Sequence, residues 1–160
     1  MKVSIKNLTI IILIVFFGGI AISNFLGVWK TESSKIPGKI KSGESVGENN
    51  PMDIKGSFTF NDISKSFNIP IEDLASAFLV PIEKANEFKC KDLENKYTDT
   101  QGKEIGTGSV RMFVAFYKGI KIDLIEETFI PNVAAEIINK RGTPLEEQKN
   151  YMLKHTVDVK

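Results

Sequence analysis

Few side chains in this chain could carry covalent or metal chemistry. Cys90 is its one cysteine and His155 is its one histidine. A nucleophile activated by a base, or a metal held by imidazole and thiolate ligands, needs more such groups. Glu126 and Glu127 could form an acid–base pair, but among 20 acidic residues such neighbours are expected on a solvated face. We therefore expect no catalytic residue, no metal site and no cofactor, and we expect that the protein is not an enzyme.

A polar turn is the better candidate for a binding surface. Residues 53–57 read DIKGS, in which Asp53 can form a local side-chain turn and Gly56 can take a positive φ angle. Together with Lys55 and Ser57, these residues would form a surface for a ligand or a partner. The alternative is that all four serve only to turn and pack the chain.

A helix–turn–helix pattern comes directly after this turn and would position it. Thr59 and Asp62 have the spacing of a capping box, Asn68 can end the first helix, and Pro70 can start the second. Apolar residues at helical spacing would be buried in the first helix (Phe60, Ile63 and Phe67) and in the second helix (Leu74, Ala77 and Phe78).

The charges of this unit exclude a nucleic-acid partner. In a DNA-binding unit the second helix presents basic or amide side chains to the major groove. Here that helix carries Glu72 and Asp73, which would repel phosphates. Beyond residue 29 the chain holds 19 basic and 20 acidic residues, and duplex binding needs a basic surface.

Further helices are expected toward the end of the chain. Ser109 can cap an apolar and aromatic helix through Lys118, which should be the central core helix. Residues 132–141 form another candidate. A last helix should begin with Thr143 as its cap. Residues 120–124 alternate briefly, as in a short strand or extended arm.

The N-terminal segment has the features of a membrane anchor. Residues 1–7 form a basic tail with Lys2 and Lys6, and residues 8–29 are uncharged and mostly apolar. At about 1.5 Å per residue this run matches a hydrocarbon core about 30 Å thick. We expect a retained single transmembrane span; the alternative is a secretory signal cleaved after the small residues Ala21 and Ser23.

The sequence allows two orientations of the span in the membrane and two explanations of its small residues. More lysines lie after the helix than before it, which favours a cytoplasmic domain, but a short basic start is typical of a signal-anchor that exports the domain on its C-terminal side. We expect a compact domain outside the cytoplasm. Gly19, Ser23 and Gly27 fall at intervals of four, so they could bind a partner helix or a second copy of the chain. Alternatively, glycine is simply common in membrane helices.

Residues 30–51 are rich in Ser, Gly, Lys and Glu, which predicts a flexible stalk. We expect a compact domain over residues 52–160. The overall expectation is a mainly α fold, in which one transmembrane helix precedes a small orthogonal helical domain with at most a short strand pair.

Residues 54–74 resemble in part a LysM module, a small domain of two helices and two strands that binds cell-wall glycans. The resemblance departs from the family pattern because Ser57 and Phe58 intervene before Thr59, and because no Asn directly follows Leu74 to lead into a clear second strand. It implies that cell-wall glycan is a candidate ligand. The matching positions are Gly56, Thr59, Ile63, Phe67, Ile69 and Leu74.

A longer stretch, from about Trp29 to Asp158, resembles an uncharacterised family of small bacterial and archaeal domains. The stretches that carry this resemblance are residues 51–78, KDLENKY, GSVRMFVAFYKG and KHTVD. Such domains lie after one membrane helix or are appended to iron–sulfur membrane proteins. The resemblance implies a non-catalytic accessory or interaction protein of the cell membrane, associated with a membrane electron-transfer complex. The alternatives are a glycan-binding module and a structural domain with no ligand of its own.

Overall fold

The structure is a computed structural model that describes residues 5–25, 35–98, 102–123 and 127–159. The chain divides into two units, Met1–Ser34 and Lys35–Lys160. The described part of the first unit is one helix. The second unit contains seven further α-helices and a two-stranded sheet within its described residues.

The first helix, α1, covers Ile5–Phe25. Eight consecutive apolar residues, Ile10 to Phe17, are 50–69% exposed. Among the residues that the structure describes, no helix combines the length and the hydropathy needed to cross a bilayer. A Cβ added at Gly19 would meet no atom within 4 Å. The side chain of Ser23 and all of Gly27 lie outside the described residues.

The second unit is mainly helical, as predicted. Its two strands pair in parallel, with Ile130 opposite Thr156. The described residues 120–123, where a strand or extended arm was expected, are not in a strand. The elements are α2 (Phe60–Phe67), α3 (Ile71–Ala77), α4 (Ile82–Ala85), α5 (Asp92–Lys96), α6 (Thr107–Lys118), β1 (Ile130–Pro131), α7 (Asn132–Arg141), α8 (Glu146–Met152) and β2 (Thr156–Val157).

The predicted capping of α2 is confirmed. Thr59 Oγ1 accepts a hydrogen bond from Asp62 N at 3.1 Å, and Asp62 Oδ2 accepts one from Thr59 N at 2.8 Å. Burial alone would raise the pKa of Asp62, but the Thr59 hydrogen bonds and the Lys35 ammonium group, 3.0 Å away, lower it below its usual range. Asn68 ends the helix in the left-handed conformation, with φ 53°.

Backbone hydrogen bonds join the segments on the two sides of helices α2, α3 and α4. Phe60 N donates to Phe88 O at 3.0 Å, and Lys91 N donates to Gly56 O at 3.0 Å. An antiparallel bridge joins Thr59 to residue 89 between these bonds. Between Gly56 and Lys91 the chain therefore contains α2, α3 and α4, and one isolated bridge closes the segment.

Helix α6 is the core helix that its composition predicted. Met112–Phe116 are all buried. The helix nevertheless begins at Thr107, with Gly106 as its N-cap. Ser109, predicted as the cap, lies in the first turn instead, where its Oγ accepts from Gly106 N at 3.0 Å and donates to Phe129 O at 2.6 Å.

The predicted cap of the last helix is wrong. Leu145 precedes α8, and its N–H donates to Gln148 Oε1 at 2.9 Å. Buried Gln148 also donates to Ile120 O at 2.8 Å. Thr143 is used elsewhere, because its N–H donates to Tyr117 O in the last turn of α6 at 2.9 Å. That bond satisfies a carbonyl that the end of a helix leaves without an intrahelical partner.

Residues 35–50, expected to be part of a flexible stalk, form a hydrogen-bonded segment that we name the strap. Its backbone closes a short antiparallel hairpin in which Ile40 N donates to Glu48 O at 2.9 Å. The second unit therefore begins at Lys35. Residues 30–34 of the expected stalk lie outside the described residues.

Candidate functional site

An open groove lies between the strap and the segment on the C-terminal side of α6. Two depressions of about 670 and 360 Å³ adjoin in it and share the lining residues Ile40, Ser42 and Lys121. Strap residues 38–45 form one wall, and Gly119 with residues 121–123 forms the other. We name this feature the strap groove.

The strap groove combines both signs of charge with apolar groups. Lys121 also lies 3.4 Å from Glu147, in a pair that is exposed on both sides. Such a surface can bind through hydrogen bonds, weak ion pairs and limited apolar contact. The charged lining residues are Lys39, Lys41, Glu44, Asp53, Lys121 and Asp123, and the large apolar ones are Ile40, Met52, Ile122 and Leu145.

The four residues of the predicted polar turn do not form one common surface. Asp53 lines the strap groove and accepts a hydrogen bond from Gly38 N at 2.9 Å. Gly56 lies elsewhere, where an added Cβ would be 3.1 Å from the Lys91 side chain. Lys55 and Ser57 are exposed and do not line the groove. Of the predicted surface, only Asp53 belongs to the candidate site.

Sequence reasoning missed most of the strap groove. The polar composition of the strap predicts a stalk, although Pro37 within it is buried. The opposite wall, at residues 119–123, was expected to be a helix end and a strand. Ile40, a half-buried aliphatic residue within the polar stretch, was the available signal that part of it packs on a domain.

The two residues with the strongest intrinsic reactivity are engaged in packing. Cys90 is fully buried, and burial raises the pKa of its thiol to about 12. The His155 ring stacks on the Tyr151 ring, with 3.6 Å between centroids and 4° between planes. Its Nδ1 lies 2.9 Å from Tyr151 O. Neither residue lines the strap groove.

A buried carboxylate joins three helices. Asp73 on α3 is 2% exposed, accepts a hydrogen bond from Tyr117 Oη of α6 at 2.8 Å, and pairs with Arg141 of α7. Burial is the main cause that raises the pKa of Tyr117 to about 12, and the interaction with Asp73 adds to it. This network links α3, α6 and α7, and both carboxylate oxygens of Asp73 are occupied by protein groups.

Within the residues that the structure describes, no three acidic, histidine or cysteine side chains group as a bound metal ion would require. Comparisons of the chain with models of protein families, with characterised proteins and with solved structures give no match. Both resemblances noted in the sequence therefore stay predictions.

Proposed function

We propose that this protein is a non-catalytic interaction module, held at a membrane by its N-terminal helix, whose strap groove binds a segment of a partner protein. One observation carries the proposal. Eight consecutive large apolar residues of α1, from Ile10 to Phe17, are at least half exposed.

Exposure of this kind is unfavourable in water. Burying one large aliphatic or aromatic side chain contributes about 1.5–3 kcal/mol. Burial of this half-exposed stretch would therefore contribute a further stabilisation on the order of 10 kcal/mol. Eight residues make more than two helical turns, so apolar groups surround the helix instead of forming one face. A helix that is apolar all round belongs in a membrane or a protein core. These properties support the predicted anchor at residues 8–29, which extends beyond Phe25 into undescribed residues.

The composition of the strap groove supports a polypeptide ligand. The charges of its three lysines and three acids cancel, whereas nucleic acids and anionic lipid surfaces select predominantly basic sites. Hydrogen-bonding groups beside a few apolar side chains are typical of contacts between proteins. The resemblance to domains appended to iron–sulfur membrane proteins makes a membrane electron-transfer complex the first partner to test.

A non-catalytic role is supported by the state of the reactive residues. The Cys90 thiol stays protonated at physiological pH because its pKa is about 12. His155 is part of an aromatic stack. Neither arrangement provides an activated nucleophile or base beside the groove.

Membrane attachment is tested by fractionating cells that express the full chain. The wild-type chain should sediment with membranes, resist alkaline carbonate and dissolve in detergent. A variant with Ile12→Lys and Val15→Lys should leave the membrane, because each lysine costs about 2.5–3.5 kcal/mol at the centre of a span. The matched control, Ile36→Lys with Val46→Lys, changes two exposed apolar residues of the strap and should stay bound. Release of the wild type by carbonate contradicts the anchor.

Orientation is tested with a cysteine at the exposed strap position Val46, which is 59% exposed. A membrane-impermeant thiol reagent should label Val46→Cys in intact cells if the domain lies outside the cytoplasm. Cys90 does not interfere, because it is buried. Labelling only after lysis would place the domain inside.

Partner binding is tested by photo-crosslinking in cells. A photoreactive amino acid at Ser42 in the groove should give a discrete protein adduct, and the same group at Leu153, 81% exposed and outside the groove, should not. The adduct should weaken when Lys121→Glu reverses one charge of the groove. Equal adducts at both positions, or none, would argue against the groove.

Glycan binding is the second candidate function, and the antiparallel bridge between Thr59 and Lys89, on either side of the α2–α3 pair, favours it. In LysM modules the glycan groove lies where the strand–helix loop meets the turn after the second helix. Here the start of α2 contacts the segment after α4, because Phe60 N donates to Phe88 O at 3.0 Å. Full-length protein in mild detergent should then co-sediment with insoluble peptidoglycan, and heat-denatured protein should not. Recovery of the native protein in the supernatant would contradict glycan binding.

A further inference from the structure

We propose that the strap opens as one piece and thereby gates the strap groove. The gating role rests on the proposed function of that groove, but opening of the strap can be measured with no ligand present.

The strap is held together by the backbone hydrogen bonds of its own short hairpin. The hydrogen bonds from Ile40 N to Glu48 O and from Gly47 N to Ile40 O both lie within it. Pro37 is the one buried residue between 35 and 50. Val46, by contrast, is 59% exposed. Segments with few buried apolar groups and solvent-exposed backbone hydrogen bonds open at lower free energy than the core.

Polar contacts attach the strap to α2 and to Asp53, whose carboxylate accepts a hydrogen bond from Gly38 N at 2.9 Å. Lys35 Nζ lies 3.0 Å from Asp62 near the start of the helix, and the Asn49 side chain donates to Ser66 O near its end. The side chains of Lys35 and Asp62 are 47% and 24% exposed, and such partly exposed ion pairs contribute little because water competes for the charges.

The strap can leave without unfolding the rest of the unit. Its hairpin bonds move with it, and its C-terminal end joins the 3₁₀ turn Pro51–Asp53, in which Pro51 is buried. That turn is a natural hinge between the strap and the core. Because strap residues 38–45 form one wall of the groove, a ligand that contacts both walls would hold the strap closed.

Amide hydrogen exchange of the full chain in detergent micelles tests the opening. Strap amides at Ile40, Gly47 and Glu48 should exchange at least about 100-fold faster than the core amide of Ile120. Lys35→Met should accelerate the strap amides a further 2- to 5-fold, roughly what loss of an exposed ion pair allows. Lys149→Met removes a comparable exposed pair with Glu146 and should leave the strap unchanged.

Thiol labelling tests whether opening exposes the groove. The half-buried Leu145 lines the groove opposite the strap, so a Leu145→Cys thiol should react about 2- to 5-fold faster when Lys35→Met is added. The buried Cys90 is an internal control that should not react.

Two results would overturn the proposal. One is a common exchange rate for the strap and Ile120, which would mean that they open together. The other is an unchanged Leu145→Cys reaction rate in a variant whose strap exchange is faster. Loss of the Ser42 photo-adduct with normal strap exchange would instead reject the proposed partner site and leave strap opening intact.

Discussion

Removal of the buried carboxylate of Asp73 is expected to destabilise the second unit strongly. This side chain is 3% exposed and connects α3 to α6 through Tyr117 and to α7 through Arg141. The perturbation is Asp73→Ala, with Asp73→Asn as the variant that keeps the shape but loses the charge.

The magnitude is set by the two partners. A hydrogen bond to a charged group contributes about 1.5–3 kcal/mol, and Asp73→Ala leaves the Tyr117 hydroxyl without its acceptor. The Arg141 side chain is 62% exposed, so water replaces its lost partner and the ion pair adds only about 0–1 kcal/mol. The free energy of unfolding should therefore fall by about 1.5–4 kcal/mol. Asp73→Asn retains one acceptor and should lose about half as much.

The assay is urea unfolding monitored by circular dichroism, with NMR titration of ring-labelled tyrosine. In Asp73→Asn the pKa of Tyr117 should fall below about 12 but stay above 10, because burial, its main cause, remains. The matched control is Asp158→Ala, an exposed acid that accepts a hydrogen bond from Asn132. It should change stability by less than about 0.5 kcal/mol. A loss below about 1 kcal/mol for Asp73→Ala, or an unchanged Tyr117 pKa in Asp73→Asn, would refute the reasoning.

Further predictions concern the same unit, and urea unfolding checks each of them. Leu79 has φ 47°, where Asn is more favourable, so Leu79→Asn should stabilise by about 0.5–1 kcal/mol. Gly119→Ala should destabilise by at least about 2 kcal/mol, since its Cβ would lie 2.5 Å from a backbone oxygen at φ 64°. A neutral result at either position would contradict the assigned backbone strain. Thr59→Ala should lose about 1 kcal/mol as the α2 cap is removed, and an unchanged midpoint would show that the cap is dispensable. The pKa values of Cys90 and Tyr97 are raised to about 12 by burial. The unfolded chain therefore releases these protons first, and from neutral pH stability should be constant up to about pH 9 and fall between about pH 9 and 12. Cys90→Ala should delay the start of that fall to about pH 10. Constant stability up to about pH 12 would contradict the raised pKa values of Cys90 and Tyr97.

The helical pair α2–α3 could be predicted because its signals are local. Capping by Thr59 and Asp62, the stop at Asn68 and the apolar spacing depend on residues within a few positions of each other. Tertiary contacts overrode local signals at two other helix starts. Ser109 binds Phe129 O as well as the first turn of α6. Thr143 binds the end of α6 and does not cap α8.

The candidate site could be predicted only in part. The polar turn identifies Asp53, and it lines the strap groove. The remaining groove residues come from distant segments of the chain, such as 38–45, 119 and 145. No local pattern reports which distant segments meet. The strap could not be predicted from its polar composition, because a hairpin stabilised by backbone hydrogen bonds needs few apolar residues.

The sequence by itself determined the inventory of chemistry and the apolar N-terminal stretch. One cysteine, one histidine and a near-neutral charge limit the possible functions wherever the residues lie, because composition does not depend on folding. Only the tertiary structure decided that Cys90 is inert, that Asp73 is a buried link between helices, and that the strap forms one wall of a groove. Burial and proximity arise from contacts between residues far apart in the chain, and those contacts set each group's solvation and partners.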